Sequence, residues 1–297
     1  MAFFDVIADN LRFPEGPVVM PDGAILFVEA AAGRVSRLRP SDHVVEIIAE
    51  PGGGPNGLAL GPKGKLYCCN NGGFSWSERP GSLRPHRGAA DQIGGRIERI
   101  DIKTGKVDVI YRSGDHGIDL RGPNDLVFDR TGGFYFTDFG TLGERAPTGL
   151  FYARVDGSFI AEVVHRMNQP NGVGLSPNGR ILYVAETYTG LLWAYSVTAP
   201  GKLGPGRQLY RLPKGRYFDS LAVEAAGNIC IGTLGKPGGI TAVSPKGALV
   251  EFTVSPDAYT TNIAFGGEDM RDAWVTFSES GRLALARWPR PGLRLAY

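Results

Sequence analysis

Residues 170–187, PNGVGLSPNG followed by RILYVAET, decide the fold. A primary amide, Asn171, precedes a short apolar run; a Pro-Asn-Gly turn then leads into a second run of alternating large side chains. Alternation of this kind, bounded by Gly, Pro and Asn, reads as two antiparallel strands. The same signal recurs along the chain. FPEGPVVMPDG (13–23) carries it at Glu15, PNGLALGPKG (55–64) at Asn56 and PNDLVFDRTG (123–132) at Asn124. FDSLAVEAAG (218–227) carries it at Asp219 and TNIAFGGEDM (261–270) at Asn262. Each is followed by a second strand: GAILFVE, GKLYCCN, GGFYFTD, GNICIGT and DAWVTFS.

Successive anchors stand 41, 68, 47, 48 and 43 residues apart. About 45 residues is the length of four short strands, one propeller blade. Six anchors therefore predict an all-β, six-bladed β-propeller with a central channel, residues 1–297 forming one domain. The long interval contains an insertion, about residues 72–94 (GGFSWSERPGSLRPHRGAADQIG), expected as a loop that projects from one face and lids the channel entrance. The N-terminal FFDVIAD is expected to supply the outer strand of the last blade, closing the ring and removing an exposed edge.

Composition agrees. The 43 glycines and 21 prolines suit many short strands with tight turns, and 42% apolar with 21% charged residues describes an ordinary globular chain. A net charge of +2 without a Lys/Arg run excludes a nucleic-acid footprint. No stretch approaches the roughly 18 apolar residues of a membrane span. The first ten residues lack the pattern of a signal peptide. Cys68, Cys69 and Cys230 are an odd set without paired spacing, which points to reduced, buried thiols and a cytoplasmic location.

In a propeller, equivalent positions of successive blades are related by rotation about the channel. Glu15, Asn56, Asn124, Asn171, Asp219 and Asn262 should therefore converge near the axis. Oxygen donors with two carboxylates among them make a hard-cation site suited to Ca²⁺ or Mg²⁺ and admitting Mn²⁺ or Zn²⁺. Asn and Asp also precede strands for a local reason, hydrogen bonding to nearby backbone. Convergence of six such residues favours the site over that local role. Thr137, Asp138, Glu186, Thr187 and Thr233 follow the second strands and are candidates for the same mouth. Arg121 is a candidate substrate contact. His43, His86, His116 and His165 are scattered, with a loop role expected for His116. Neither a GxSxG elbow nor a strand–GxGxxG–helix context is present.

With these motifs in place, the chain resembles the gluconolactonase/regucalcin (senescence marker protein) family of metal-dependent lactonases. The resemblance runs from FPEGP through PNDLVFD and QPNGVGLSPNGRILYV to FDSLAVEAAGNICIGT. Diisopropylfluorophosphatase and strictosidine-synthase-like propellers share the fold and some turn motifs. The resemblance implies one divalent cation, with Glu15, Asn171 and Asp219 as ligands and Asn124 as ligand or substrate contact. It also implies an Arg just before that Asn; here Gly122 and Pro123 separate Arg121 from Asn124.

A consistent chemistry is polarisation of a lactone carbonyl by the cation and attack by water. Asp219 is the expected general base, with Glu15 or a metal hydroxide as alternatives, and Asn56, Asn124 and Asn262 orient substrate or water. The small-molecule lactone is the expected partner. Two other readings use the same residues: a phosphotriesterase-like hydrolase, and a non-catalytic propeller that binds calcium or a protein.

Overall fold

The structure is a computed structural model that describes residues 3–144 and 146–297. Six four-stranded antiparallel sheets make up the fold, each beginning at one of the repeated segments. The innermost strands are Pro14–Val19, Pro55–Leu60, Pro123–Phe128, Pro170–Leu175, Tyr217–Val223 and Thr260–Gly266. Each touches the innermost strand of the next blade, and the last touches the first, so the ring is closed around a channel. Phe4–Ala8 pairs with Arg282–Arg287 as the outer strand of blade 6, as the N-terminal pattern predicts. Chain ends and last blade are thereby tied together, which protects an edge that would otherwise be free to pair.

The innermost strands approach so closely that three of them need glycine immediately after the anchor. A Cβ at Gly57 would stand 2.5 Å from the Asn124 carbonyl oxygen, and one at Gly172 would stand 2.7 Å from the carbonyl oxygen of Asp219. Gly16 meets the Asn56 carbonyl in the same way. These contacts set the spacing between successive anchors, and hence the width of the site.

Outside the channel, the core lies between blades. Leu26, Val28 and Val35 of blade 1 pack on Leu58, Leu66, Cys68 and Ile100 of blade 2. Tyr135, Leu150 and Tyr152 of blade 3 pack on Val173, Leu182, Val184 and Tyr195 of blade 4. One face of each strand meets the preceding blade and the other meets the following one, which explains near-continuous apolar runs such as ILYVA. Cys68, Cys69 and Cys230 are buried free thiols. Among the described residues no helix is long and apolar enough to cross a membrane.

The insertion is more ordered than the expected loop. Phe74–Arg79 and Ser82–Gly88 form an antiparallel hairpin. Its Trp76 and Leu83 dock on Phe13 and Tyr259 beside the channel, with Trp76 and Phe13 ring centroids 4.9 Å apart, and Phe74 meets Trp76 edge-on. Gly, Pro and Arg in that stretch suggested irregular chain, but the short apolar alternation on either side of Pro80-Gly81 carries the strand signal.

Candidate active site at one mouth of the channel

Glu15, Asn56, Asn124, Asn171 and Asp219 line a single cavity of about 350 Å³ at one mouth of the channel. The strand register explains their convergence. In blades 2 to 5 the residue before the anchor pairs with the end of the second strand, and the ladder then slips before pairing resumes: Pro55↔Asn70, Pro123↔Asp138, Pro170↔Glu186 and Phe218↔Thr233. In blade 1 Pro14 pairs with Glu29, and the shift comes after Glu15. A bulge of this kind re-aims the side chain beside it, here toward the axis.

Blade 6 departs from the repeat as read from sequence. Thr260 pairs with Phe277 and Asn262 with Thr276, so Thr261 stands at the anchor position and Asn262 one place later. Asn262 accordingly faces the opposite end of the channel, where it lines a second, mainly apolar cavity of about 750 Å³ crossed by Leu293–Tyr297. Its Nδ2 still donates to Glu15 Oε2 at 3.4 Å. Aligning on the polar residue, when the true equivalent is a threonine, displaced this blade by one residue. Arg121 does not line the mouth cavity; its guanidinium pairs with Glu144.

The polar residues that end the second strands divide into two roles. Glu29, Asn70, Asp138 and Glu186 clamp the loops that lead into the innermost strands. Asp138 accepts backbone N–H bonds from Arg121, Gly122 and Gly140, each at 2.8 Å. Glu186 accepts from Asn168 N at 2.9 Å and Thr189 Oγ1 at 2.7 Å. Thr187 does reach the cavity, where its Oγ1 accepts from Asn171 Nδ2 at 3.2 Å. Thr137 bonds the Asn171 carbonyl oxygen at 2.6 Å, joining blades 3 and 4. Thr233 is spent within its own sheet. His116 is an exposed loop residue with Nε2 3.1 Å from Gly157 O.

Electrostatically the floor of the cavity lacks a positive partner. Glu15 is 2% exposed, and burial pushes its carboxyl up to about 7 against the pull of nearby donors, including Gly16 N and Asn262. Burial, and then the charge of Glu15, push Asp219 well above the usual carboxylate range. Neither forms an ion pair among the described residues. Asn124 is buried, and its Oδ1 has no hydrogen-bond partner. Carboxylates enclosed without a positive partner, and a buried amide oxygen without a donor, are costly unless something satisfies them. A hard divalent cation with oxygen ligands fits this donor set. Among the described residues no three His, Cys, Asp or Glu side chains converge, so a cation here would draw on amide oxygens as well.

A buried carboxylate directly beside an anchor escaped sequence reasoning. Asp125 follows the Asn124 anchor, at the position of Gly57, Gly172 and Ser220 in neighbouring blades. It accepts from Leu126 N at 2.8 Å and from Val173 N at 3.3 Å, and burial raises its carboxyl to about 7. A carboxylate where other repeats place glycine or serine was the available signal.

Residues 13–279 match the SMP-30/gluconolactonase/LRE-like region. The chain belongs to that family. Among curated members, a gluconolactonase of Zymomonas mobilis is 26% identical, over 88% of this chain and 75% of its own length. A 6-deoxy-6-sulfogluconolactonase of Pseudomonas putida is 28% identical, over 68% of this chain and 83% of its own. Solved structures share the propeller: a gluconolactonase from Xanthomonas campestris superposes with TM-score 0.77 at 21% identity, covering 97% of this chain and 90% of that one. The calcium-binding protein regucalcin from Agrobacterium tumefaciens also gives 0.77, at 17% identity, covering 99% and 98%.

Proposed function

We propose that this SMP-30/gluconolactonase-family chain is a lactonase that holds one divalent cation, calcium first with magnesium, manganese or zinc as substitutes. Its substrate would be a small lactone, a sugar-acid lactone or a relative, opened by water. The observation that carries the reading is the floor of the mouth cavity: a buried carboxylate, Glu15, and a half-buried one, Asp219, without a cationic side chain, beside the unpartnered Asn124 Oδ1. Curated relatives that act on lactones supply the reaction class.

Glu15, Asn124, Asn171 and Asp219 would hold the ion. Bound there, it would polarise the lactone carbonyl and lower the energy of the developing oxyanion. The side chains do the rest. Asp219 keeps partial access to the cavity, whereas Glu15 is enclosed; Asp219 is therefore the better group to take a proton from attacking water. Water oxygen bonds to the carbonyl carbon, the ring C–O bond breaks, and the proton on Asp219 is available to the departing ring oxygen. Asn171 is fixed for its role, since Nδ2 donates to Thr187 and Oδ1 accepts from Ser220 Oγ at 3.2 Å. Asn56 is free to orient the lactone ring. Asn262, displaced from the cavity, positions Glu15.

The test is chelation followed by lactone hydrolysis measured as acid release, with Ca²⁺, Mg²⁺, Mn²⁺ or Zn²⁺ restored singly. Activity lost and regained with one ion supports the reading. Turnover of a phosphotriester but of no lactone would replace the reaction while keeping the site.

A further inference from the structure

The rim of the mouth cavity carries two cationic side chains with unused donors, and we infer that the substrate is a lactone bearing an anionic substituent: a carboxylate, sulfonate or phosphate. The inference rests on the lactonase reading above.

Arg84 reaches the rim from the insertion hairpin and is held in one orientation. Its Nε and Nη2 donate to Glu279 at 2.8 and 2.9 Å, and its guanidinium lies 4.8 Å from the centre of the Tyr259 ring. The hairpin itself is pinned there, since Ser82 Oγ donates to Glu279 Oε1 at 2.6 Å and Leu83 N to Glu279 O at 2.9 Å. Among the described residues, Arg84 Nη1 has no partner. Lys236 lines the same cavity from the loop after the second strand of blade 5, and its Nζ has no hydrogen bond or ion pair among the described residues. Glu279 offsets one of these two positive charges. Asp257, nearby, is occupied by Ser280 and Tyr259 N. What the rim offers an anion is therefore the unused donors of Arg84 Nη1 and Lys236 Nζ.

Elsewhere the walls are largely apolar: Phe13, Phe74, Phe139, Tyr188, Tyr217 and Tyr259. Such walls accept a flat ring but offer few partners to many hydroxyl groups. A free guanidinium edge and a free ammonium provide what an anion needs, charge-assisted hydrogen bonds from groups already fixed or already at hand. They also lie at the rim, whereas Glu15 and Asp219 lie at the floor with the anchors. A lactone seated with its carbonyl at the floor would direct its substituent toward Arg84 and Lys236, away from the carboxylates. In about 350 Å³ there is room for one small ring with one substituent.

The experiment compares a lactone carrying a carboxylate with the same lactone carrying a carboxamide, on the calcium-loaded wild-type protein, Arg84→Met and Lys236→Gln. We expect wild type to prefer the carboxylate about tenfold or more in kcat/KM, mainly through KM. Each variant should lower that preference several-fold. Equal turnover of the two lactones by wild type, or equal losses on both in the variants, overturns the inference. Lys236→Gln removes no hydrogen bond or ion pair among the described residues, so its result stands even if Arg84→Met loosens the hairpin. Should no lactone turn over at all, the lactonase reading fails, and calorimetric titration with benzenesulfonate decides the anion site separately. Binding weakened about tenfold by Lys236→Gln supports that site; no binding, or binding indifferent to both variants, overturns it.

Discussion

Glu15 raises the proton affinity of Asp219 across the floor of the cavity, although the two residues come from blades 1 and 5. Glu15 is buried and Asp219 half-buried, and Asp125, raised to about 7, and Asp138, raised to about 6, are buried beside other blades. In the unfolded chain such groups titrate near 4. The folded protein therefore binds their protons more tightly, and the stability this contributes is full below about pH 4 and lost as pH rises through about 6–7. Groups shifted downward, such as Asp101 at about 2 and Glu29, act below that window. In the presence of chelator, melting temperature should fall between pH 5.5 and pH 8. A divalent ion added at pH 8 should restore it, because the cation replaces the protons at Glu15 and Asp219. A metal-free protein equally stable at both pH values would contradict this account of the floor.

Asp219→Asn retains an oxygen donor while removing the base. Turnover should drop by about 10²-fold or more, with the cation still bound as judged by equilibrium dialysis. Asp219→Ala should lose both. Full turnover in Asp219→Asn would transfer the proton-accepting role to Glu15 or to a hydroxide.

Ring geometry makes a different demand on glycine. Gly57→Ala would drive a methyl into the Asn124 carbonyl oxygen, where backbone meets backbone and no rotamer can give way. Overpacking of this kind costs about 1–3 kcal/mol, a few degrees of melting temperature. Asn124 should move with it, so cation affinity should weaken more than stability alone accounts for. Unchanged melting and affinity would mean that the innermost strands separate easily.

Much of this arrangement was legible in the sequence because blades repeat. Five of the six anchors were recoverable from a polar residue before a Gly-punctuated apolar run, and the N-terminal strand from the need to close the ring. Blade 6 was misaligned by one residue because the repeat position there is Thr261, and a neighbouring Asn262 mimics the expected residue type. Arg121 was misplaced for another reason: long flexible side chains go where a partner waits, here Glu144, and sequence proximity to an anchor does not set that choice. Asp125 was missed because the repeat drew attention to the anchor itself and not to the place after it. The hairpin at 74–88 could not be docked from sequence, since its partners Phe13, Tyr259 and Glu279 lie far away in the chain and meet only when the ring closes.

That docking should be separable from folding. Glu279 holds Arg84, Ser82 and Leu83 N, Arg12 pairs with Glu78 on the other strand, and beyond these bonds the hairpin rests on a small cluster containing Phe13, Trp76, Leu83 and Tyr259. No strand of the six blade sheets pairs with it. Glu279→Gln weakens three charge-assisted bonds on the hairpin while leaving all six sheets intact. Trypsin should then cut faster at Arg87, since Arg79 and Arg84 each precede a proline, and KM for a substrate should rise, because Phe74, Arg84 and Pro85 leave the cavity wall. Melting temperature should change by no more than a few degrees, since an exposed-to-intermediate ion pair contributes about 0.2–1 kcal/mol. Faster cleavage with an unaltered KM would show that the hairpin covers the mouth without shaping the site. A large loss of melting temperature would instead make it part of the closure between blades 1 and 6.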